Sequence, residues 1–324
     1  MDKMRTKKVL FVCILLILVL AILYSGLRIL ESTILFDIED QMQTKSKISV
    51  RNGVKYYPRN DITVVMLMGV NRSGQVVPTQ PNKAVPVDMV TLLIFDEKTQ
   101  TCNVLNLNRD MMVDIPVLNE YGKAVGIANA QLAYSHAYGT GMRDSCENVR
   151  MTVSNLLYGL EIDYYFAMNM DTIGILNDSV GGVTVNVVDD FSQIDASLTK
   201  GKVHLNGKQA VTFVQSRTGL GDGLNLSRME RQKEYMSQFV PALKNQIKQE
   251  SGYVVKTYNE ISDFIVTDCV LDAVSRLASD YGHYALGEML SVEGENVLGE
   301  KYYEFYPDEN ALDDLILRLF YAPK

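Results

Sequence analysis

The feature that most constrains this chain is an uninterrupted apolar segment near its N-terminus. Residues 9–27 contain no charged side chain. At a rise of about 1.5 Å per residue, a helix of this length is close to the thickness of a bilayer core. A helix that is apolar on every side has no polar face to turn toward water. We therefore expect a transmembrane anchor over residues 9–27 and a folded domain in the chain that follows.

The charges before this segment predict its orientation. Residues 1–8 carry four basic side chains against one acidic one, namely Lys3, Arg5, Lys7, Lys8 and Asp2. Basic residues beside a membrane segment mark the cytoplasmic side. A cleaved signal peptide is the alternative, but it would have a shorter apolar region and a cleavage site, and no A-x-A pattern follows. We expect a single-pass protein of the cell membrane, with a cytoplasmic tail at 1–8 and an extracytoplasmic C-terminal domain.

The net charge restricts the classes of partner. The chain has a formal charge of -8 and a pI of about 5.1. Residues 1–35 hold five basic and two acidic side chains, a net of +3, which leaves -11 for residues 36–324. We expect no nucleic-acid partner, because nucleic-acid binding usually requires a basic patch. An anionic ligand would need arginines gathered at one place.

Several catalytic classes lack their motifs in this sequence. The three histidines form no cluster with cysteines, which argues against a zinc enzyme. No GxSxG, Walker A or HExxH motif occurs. Outside the cell a disulfide is permitted, and Cys102–Cys146 is the pair that we consider, with Cys269 left over. Three buried free thiols are the alternative, and the sequence does not decide between them.

Alternating strand and helix patterns predict an α/β domain. Residues 62–70 are apolar at almost every position, as in a sheet that is covered on both faces. Further strands are predicted at 89–95, 102–107, 164–170 and 183–188, and helices at 129–138, 145–158, 172–179, 206–215 and 226–248. This order indicates a three-layer α-β-α domain with a mixed central sheet over 60–248. A stalk over 28–59 precedes it, and 249–324 is expected to form a C-terminal helical accessory region.

Five polar clusters fall at the predicted strand ends and helix starts, where α/β proteins bind ligands. They contain Asn71, Asp88, Arg109 with Asp110, Arg217, and the segment 225–232. In the last of these, Arg228, Arg231 and Gln232 share one helix face near its N-terminus, a position that attracts anions. A solvated face, with Glu230 pairing to an arginine, is the alternative. A carboxylate beside arginines and a diphosphate would fit Mg²⁺.

The order of these clusters resembles that of the LytR-CpsA-Psr family of exported cell-wall transferases. The similar stretches run in family order over about 60–240 and read VVMLMGVNRSG, VDMVTLLIFD, LNLNRDMMVDIP, ANAQLAYSHAYG, IDYYFAMNM, DSVGGVTVNV, LNGKQAVTFVQSR and LSRMERQ. The resemblance implies a Mg²⁺-dependent phosphotransferase anchored in the membrane. Such an enzyme moves a glycopolymer, for example teichoic acid or capsule, from a polyprenyl-diphosphate carrier to a peptidoglycan acceptor. The apolar faces of 172–180 and 208–214, with the 129–138 helix, are candidates for the lipid groove.

The resemblance also assigns roles to individual residues. It implies that Asp88, Arg109 and Asp110 are catalytic, with Asp88 or Asp110 as the base. Asp88 and Asn71 would hold the metal. The diphosphate ligands would be Arg109, Arg217, Arg228, Arg231 and Gln232.

Two positions depart from the family pattern. Asn71 stands where the family usually has Asp, and Gln215 stands where it often has Arg. Both changes remove charge from the proposed site. A non-catalytic receptor for lipid diphosphates therefore stays open as an alternative, as does a polyprenyl-diphosphate hydrolase.

Overall fold

The computed structural model describes residues 49–51, 53–217, 219–220 and 225–323. The predicted cytoplasmic tail, the anchor at 9–27 and most of the stalk lie outside these residues. Among the helices that the structure describes, none has the length and apolarity needed to span a bilayer.

The elements are numbered here in chain order. The strands are β1 Ser49–Arg51, β2 Val54–Pro58, β3 Ile62–Val70, β4 Val87–Asp96, β5 Thr101–Leu107, β6 Met112–Leu118, β7 Ala124–Gln131, β8 Tyr164–Met168, β9 Val183–Val187, β10 Gly201–Leu205, β11 Ile265–Thr267, β12 Ala285–Ser291, β13 Gly294–Leu298, β14 Tyr303–Pro307 and β15 Tyr321–Pro323. The helices are α1 Tyr134–Ala137, α2 Arg143–Leu156, α3 Met170–Ser179, α4 Gly207–Gln215, α5 Asn225–Gln249, α6 Tyr253–Ile261, α7 Leu271–Tyr281 and α8 Glu309–Phe320.

A six-stranded mixed sheet forms the centre of the fold, as the sequence predicts. Its strand order is β11-β8-β3-β4-β5-β12. The pairs β3–β8 and β5–β12 are parallel, and the other three pairs are antiparallel. The predicted strand over 62–70 coincides with β3, and the predicted helix over 226–248 differs from α5 by one residue at each end.

Helices cover both faces of this sheet, because successive side chains of a strand point to opposite faces. On the first face, Met66 and Leu92 are fully buried in a core that includes Val149 of α2 and Ile316 of α8. On the second face, Leu67 and its neighbours face α5, α6 and α7. A separate core joins the β9–β10 hairpin to α4 and α5. The three-layer prediction agrees with this arrangement.

The predicted helix at 129–138 is wrong over its first residues. Residues 129–131 belong to β7, which pairs with β6 in a hairpin, and only the short helix α1 follows. Side chains of β7 alternate between exposed and partly buried positions, as strand geometry requires. Its only β-branched residues are Val125 and Ile127, and Ala, Gly, Asn and Gln fill the other positions, so its strand signal is weak.

The prediction of a helical accessory region over 249–324 is wrong in part, because strands lie there as well as the helices α6, α7 and α8. The tail supplies both edge strands of the central sheet, β11 and β12, and the β13–β14 hairpin. Leu286, Met289 and Leu290 have the i, i+3, i+4 spacing of a helix, which explains the error. A register shift between Leu286 and Met289 lets this spacing exist in a strand. In addition, β1 and β2, which fall in the predicted stalk, belong to the folded domain, because β1 pairs with β2 and β2 pairs with β15.

The cysteines outside the apolar segment are free and buried, so the Cys102–Cys146 disulfide is wrong. Cys102 faces the second side of the sheet, whereas Cys146 lies in the core on the first side, and the sheet separates them. Burial raises the pKa of Cys102 to about 12 and that of Cys269 to about 11. The thiols therefore stay protonated at neutral pH.

Phe305 of β14 tests whether the C-terminal residues are part of the main core. Its side chain is 1% exposed within the first-face core. We expect Phe305→Ala to lower the free energy of unfolding by about 3–5 kcal/mol, because it leaves a large cavity. The exposed neighbour Tyr306 gives the control, since Tyr306→Ala should change the value by less than about 0.5 kcal/mol. Urea denaturation followed by circular dichroism measures the change in the free energy of unfolding for both variants. Equal changes would show that the tail packs independently of the main core.

Candidate functional site

The register of two antiparallel strands brings the first pair of candidate residues together. Val90 of β4 pairs with Leu107 of β5. Continuing this register by two residues places Asp88 opposite Arg109, 21 residues away in the chain. The two side chains form an ion pair and are largely buried, with 11% and 17% exposure. Sheet geometry therefore produces this contact directly.

Arg228 joins the pair from the first turn of α5. Its Nη1 lies 3.4 Å from Asp88 Oδ1, and its Nη2 donates a hydrogen bond of 3.0 Å to the Asp88 carbonyl. The residue is only 3% exposed. Burial lowers the pKa of Arg228, Asp88 opposes this shift, and the charges of Arg109 and Arg217 add to the lowering. Three arginines thus share one buried region.

Asp110 and Arg217 complete the cluster. Asp110 is 3% exposed; its Oδ1 lies 3.5 Å from Arg109 Nε and its Oδ2 lies 3.6 Å from Arg217 Nη2. Asp110 Oδ2 is buried and has no hydrogen-bond partner. The structure therefore collects Asp88, Arg109, Asp110, Arg217 and Arg228 from four separate chain segments.

Two buried asparagines hold this cluster in place, and sequence reasoning did not select them as site residues. Asn225 Nδ2 donates to Asn108 Oδ1 at 2.7 Å, and Asn225 also accepts a hydrogen bond from Arg228. Asn108 Oδ1 accepts the Asp110 amide at 3.0 Å. Asn225 belongs to the polar cluster at 225–232, and Asn108 directly precedes Arg109, so both lie next to residues that the sequence does select. Position in the chain alone cannot show that an amide supports a neighbouring charge.

Arg231 is not brought into the cluster. Its guanidinium contacts the Phe213 carbonyl at 3.0 Å, the Ser216 carbonyl and the Asp189 carboxylate. These contacts fix the end of α4, immediately before Arg217. Gln232 donates to the Val214 carbonyl at 3.2 Å and also lines the cavity described below. Of the three residues predicted to share a helix face, Arg228 contacts the charged cluster, Gln232 lines the cavity and Arg231 does neither.

The two residues that depart from the family pattern contact each other. Gln215 Nε2 donates a hydrogen bond of 2.7 Å to Asn71 Oδ1, across 144 residues of sequence. An aspartate and an arginine in these places would form an ion pair, so the neutral amides replace the pair with no change in net charge. Asn71 Oδ1, the atom expected to ligate a metal, is already an acceptor in this contact.

The acidic side chains of the cluster can supply part of the coordination shell of a magnesium ion. No group of three or more His, Cys, Asp or Glu side chains converges among the described residues, so the protein alone does not provide a complete cage. Mg²⁺ commonly takes one or two carboxylates and completes its shell with phosphate oxygens and water. Asp88 and Asp110 both contact Arg109, and the buried Asp110 Oδ2 accepts no hydrogen bond. This donor set fits the ion.

Two adjoining apolar cavities of about 320 Å³ each lie under the second face of the sheet, and the first begins at the charged cluster. We call the pair the tunnel and each cavity a lobe. The first lobe is bordered by Asp88, Arg228, Gln215 and Gln232 at one end and is otherwise apolar. Both lobes share walls formed by β3, β4, β8, α3, α5 and α6, at Leu67, Leu93, Phe166, Leu176, Val240, Leu243 and Ile261.

Part of the surface predicted for a lipid groove lines the tunnel. Ile173 and Leu176 of α3 and Val214 of α4 line it, as the sequence suggested. Helix α1, within the predicted 129–138 helix, does not contribute to either lobe. Most of the wall instead comes from α5, α6 and the sheet itself.

The sequence model of the LytR_cpsA_psr family matches residues 31–319. The chain belongs to the LytR-CpsA-Psr family. A relative named polyisoprenyl-teichoic acid–peptidoglycan teichoic acid transferase TagU, from Oceanobacillus iheyensis, is 28% identical over 76% of this chain and 72% of its own length. TagU of Bacillus subtilis is 25% identical, with coverage of 72% and 71%. The crystal structure of B. subtilis TagT has the same fold, with a TM-score of 0.61, 21% identity and coverage of 86% and 94%.

The Asn71–Gln215 contact can be tested by restoring the charged pair. We expect Asn71→Asp and Gln215→Arg to be each less stable than the double variant, because a single charge lacks its partner. The coupling in unfolding free energy should be about 0.2–1 kcal/mol, as for other partly exposed ion pairs. Urea denaturation of the four proteins measures it, and strictly additive effects would contradict the contact.

Proposed function

We propose that this chain is a membrane-anchored transferase that moves a glycopolymer from a polyprenyl-diphosphate carrier to peptidoglycan outside the cell. The observation that carries the proposal is an apolar tunnel bordered at one end by Asp88 and Arg228, beside which Arg109 and Arg217 complete the charged cluster. A lipid diphosphate has the same division into an apolar chain and a compact anionic head. The names of the TagU relatives and the predicted anchor at residues 9–27 also support this function.

The arginines are suited to bind the diphosphate and to stabilise the charge that develops during transfer. Arg109, Arg217 and Arg228 offer several N–H donors in a region with little access to water. Charge-assisted hydrogen bonds are stronger there than in water. Because the groups are already fixed by Asp88, Asn225 and the strand ends, little reorganisation is needed as the bond breaks.

Asp88 borders the tunnel at the position of the diphosphate, so it is the carboxylate that would hold Mg²⁺. When bound, the ion would neutralise charge on the phosphate oxygens. Asn71 Oδ1 accepts a hydrogen bond from Gln215 and would have its second lone pair for the ion. Magnesium dependence is therefore part of the proposal, with Asp88 as the main protein ligand.

The transfer reaction needs a base, for which Asp110 is the better-placed candidate. Asp88 is engaged by Arg109 and Arg228, and Asp110 is ion-paired more loosely, at 3.5 Å to Arg109 and 3.6 Å to Arg217, while its Oδ2 accepts no hydrogen bond. The acceptor hydroxyl oxygen attacks the phosphorus that carries the glycan, and its proton passes to Asp110. The bond from that phosphorus to the bridging oxygen breaks, and polyprenyl phosphate leaves. Positioning and electrostatics account for most of the catalysis in phosphoryl transfer.

Arg109 tests the assignment of the site. We expect Arg109→Ala to reduce the transfer rate by about 10²–10³-fold, because it removes a charge donor from the reacting phosphate. The control is Arg143→Ala, since that side chain is 75% exposed on α2. The full-length protein in detergent, with Mg²⁺, a synthetic polyprenyl-diphosphate glycan and a peptidoglycan fragment, provides the assay. Transfer at the wild-type rate by Arg109→Ala would show that the site is elsewhere.

The chain contains no Trp, so a single introduced indole can report on the tunnel. We expect Leu176→Trp to change its fluorescence when geranylgeranyl diphosphate enters. Removing Mg²⁺ with EDTA should stop transfer but leave binding detectable. Binding without product at any Mg²⁺ concentration would support the receptor alternative. Release of polyprenyl phosphate without acceptor would support the hydrolase alternative.

A further inference from the structure

A second cavity lies on the opposite side of the sheet from the tunnel, and none of the residues that the structure describes fills it. Its volume is about 530 Å³, larger than either tunnel lobe. Three structural units form its walls: the β6–β7 hairpin, the end of α2 with Tyr158, and the start of α8. This size is within the usual range for small-molecule sites. We call this cavity the hairpin cleft.

The lining of the hairpin cleft mixes apolar surface with hydrogen-bonding groups. Met112, Ile127 and Leu156 provide apolar contact, and Tyr158 provides an aromatic side chain. The polar groups are held in place: Asn129 Nδ2 donates to Asp114 Oδ1 at 2.9 Å, and Tyr158 donates to Asp313. Carboxylates and amides that alternate with apolar surface suit the hydroxyl groups and ring faces of a sugar.

The charge of the hairpin cleft distinguishes between the two substrates of the proposed reaction. Asp114, Glu309 and Asp313 line it, and none of the described lining residues is Lys or Arg. A polymer rich in phosphate would be repelled, since like charges at short range cost free energy. An uncharged glycan would not be repelled by these carboxylates. The cleft therefore fits the acceptor rather than the donor.

The hairpin that forms the cleft is bonded directly to the reacting segment. The Ala133 amide, just after β7, donates to the Arg109 carbonyl at 2.9 Å, and the Leu132 amide donates to the Met111 carbonyl at 2.7 Å. Met112 follows Asp110 by two residues, so their Cα atoms are no more than ~7 Å apart. A glycan held in the cleft would thus be held by the same rigid unit that carries Arg109 and Asp110.

We propose that the hairpin cleft binds the acceptor as an uncharged N-acetylated glycan strand, at a distance from the diphosphate site. This inference rests on the proposed function, because it names the place of the second substrate. The two substrates are separated according to their charge. The arginine cluster binds the anionic donor on one side of the sheet, and the hairpin cleft binds the neutral glycan on the other side.

The proposal can be tested by binding alone, without any transfer reaction. The full-length Ile127→Trp variant in detergent places a unique indole in the cleft, and Leu176→Trp places one in the tunnel. Chitotetraose, a neutral N-acetylglucosamine tetramer, should change the fluorescence of Ile127→Trp in a saturable manner and leave Leu176→Trp unchanged. Short-chain polyphosphate should produce no response from Ile127→Trp.

Variants of the polar wall provide the matched comparison. Adding Asp114→Ala and Asn129→Ala to Ile127→Trp should weaken chitotetraose binding about tenfold, because two ligand hydrogen bonds are lost. Glu300→Ala, an exposed carboxylate outside the cleft, should leave binding unchanged. The lipid-diphosphate response of Leu176→Trp should survive the same wall changes. If Leu176→Trp with an unchanged cleft gave no response to geranylgeranyl diphosphate, the proposed function would be refuted, whatever the result for the cleft.

Two outcomes would overturn the inference about the cleft. One is the absence of any saturable response of Ile127→Trp to chitotetraose while circular dichroism shows a folded protein. The other is equal affinity in the Asp114→Ala and Asn129→Ala background. A response to polyphosphate but not to the sugar would reverse the assignment and place donor polymer in the cleft.

Discussion

The structure depends on one electrostatic constraint: buried arginines must be balanced where an apolar cavity ends. Asp88 meets this constraint by contacting both Arg109 and Arg228. Removing one partner from a buried ion pair commonly costs about 3–5 kcal/mol, a large fraction of a domain's total stability of about 5–15 kcal/mol. Three guanidinium groups against two carboxylates leave the cluster cationic in an otherwise acidic domain. A bound diphosphate would supply the missing negative charge. The excess of arginines over carboxylates therefore makes this cluster a candidate anion site.

The sheet explains how distant residues reach this point. Asp88 and Arg109 meet because β4 and β5 are antiparallel neighbours with a fixed register. Arg228 arrives on α5, which covers the second face of the same sheet and forms most of the tunnel wall. Arg231, one turn further along, secures the end of α4 through two carbonyl groups and Asp189. We infer that it positions Arg217 rather than contacting the phosphates.

The sequence predicts those parts of the fold and site that depend on local pattern. The apolar run at 62–70 identifies a doubly covered strand, and the Asn206 cap identifies the start of α4. It does not reveal the Gln215–Asn71 contact, because that contact depends on how two elements 144 residues apart are packed. It also misses β7, whose small residues carry weak strand signal, and β12, whose bulged spacing is similar to that of a helix. The tunnel is a space between packed elements, so the sequence pattern of any single element does not predict it.

The central claim is that the arginine cluster recognises the diphosphate and not merely the lipid. The most direct measurement is the affinity of the full-length protein for geranylgeranyl diphosphate and for geranylgeraniol, over a range of salt concentrations. We predict that the diphosphate binds at least about 100-fold more tightly and that this advantage falls as salt screens the charges. Equal affinities, independent of salt, would contradict the account.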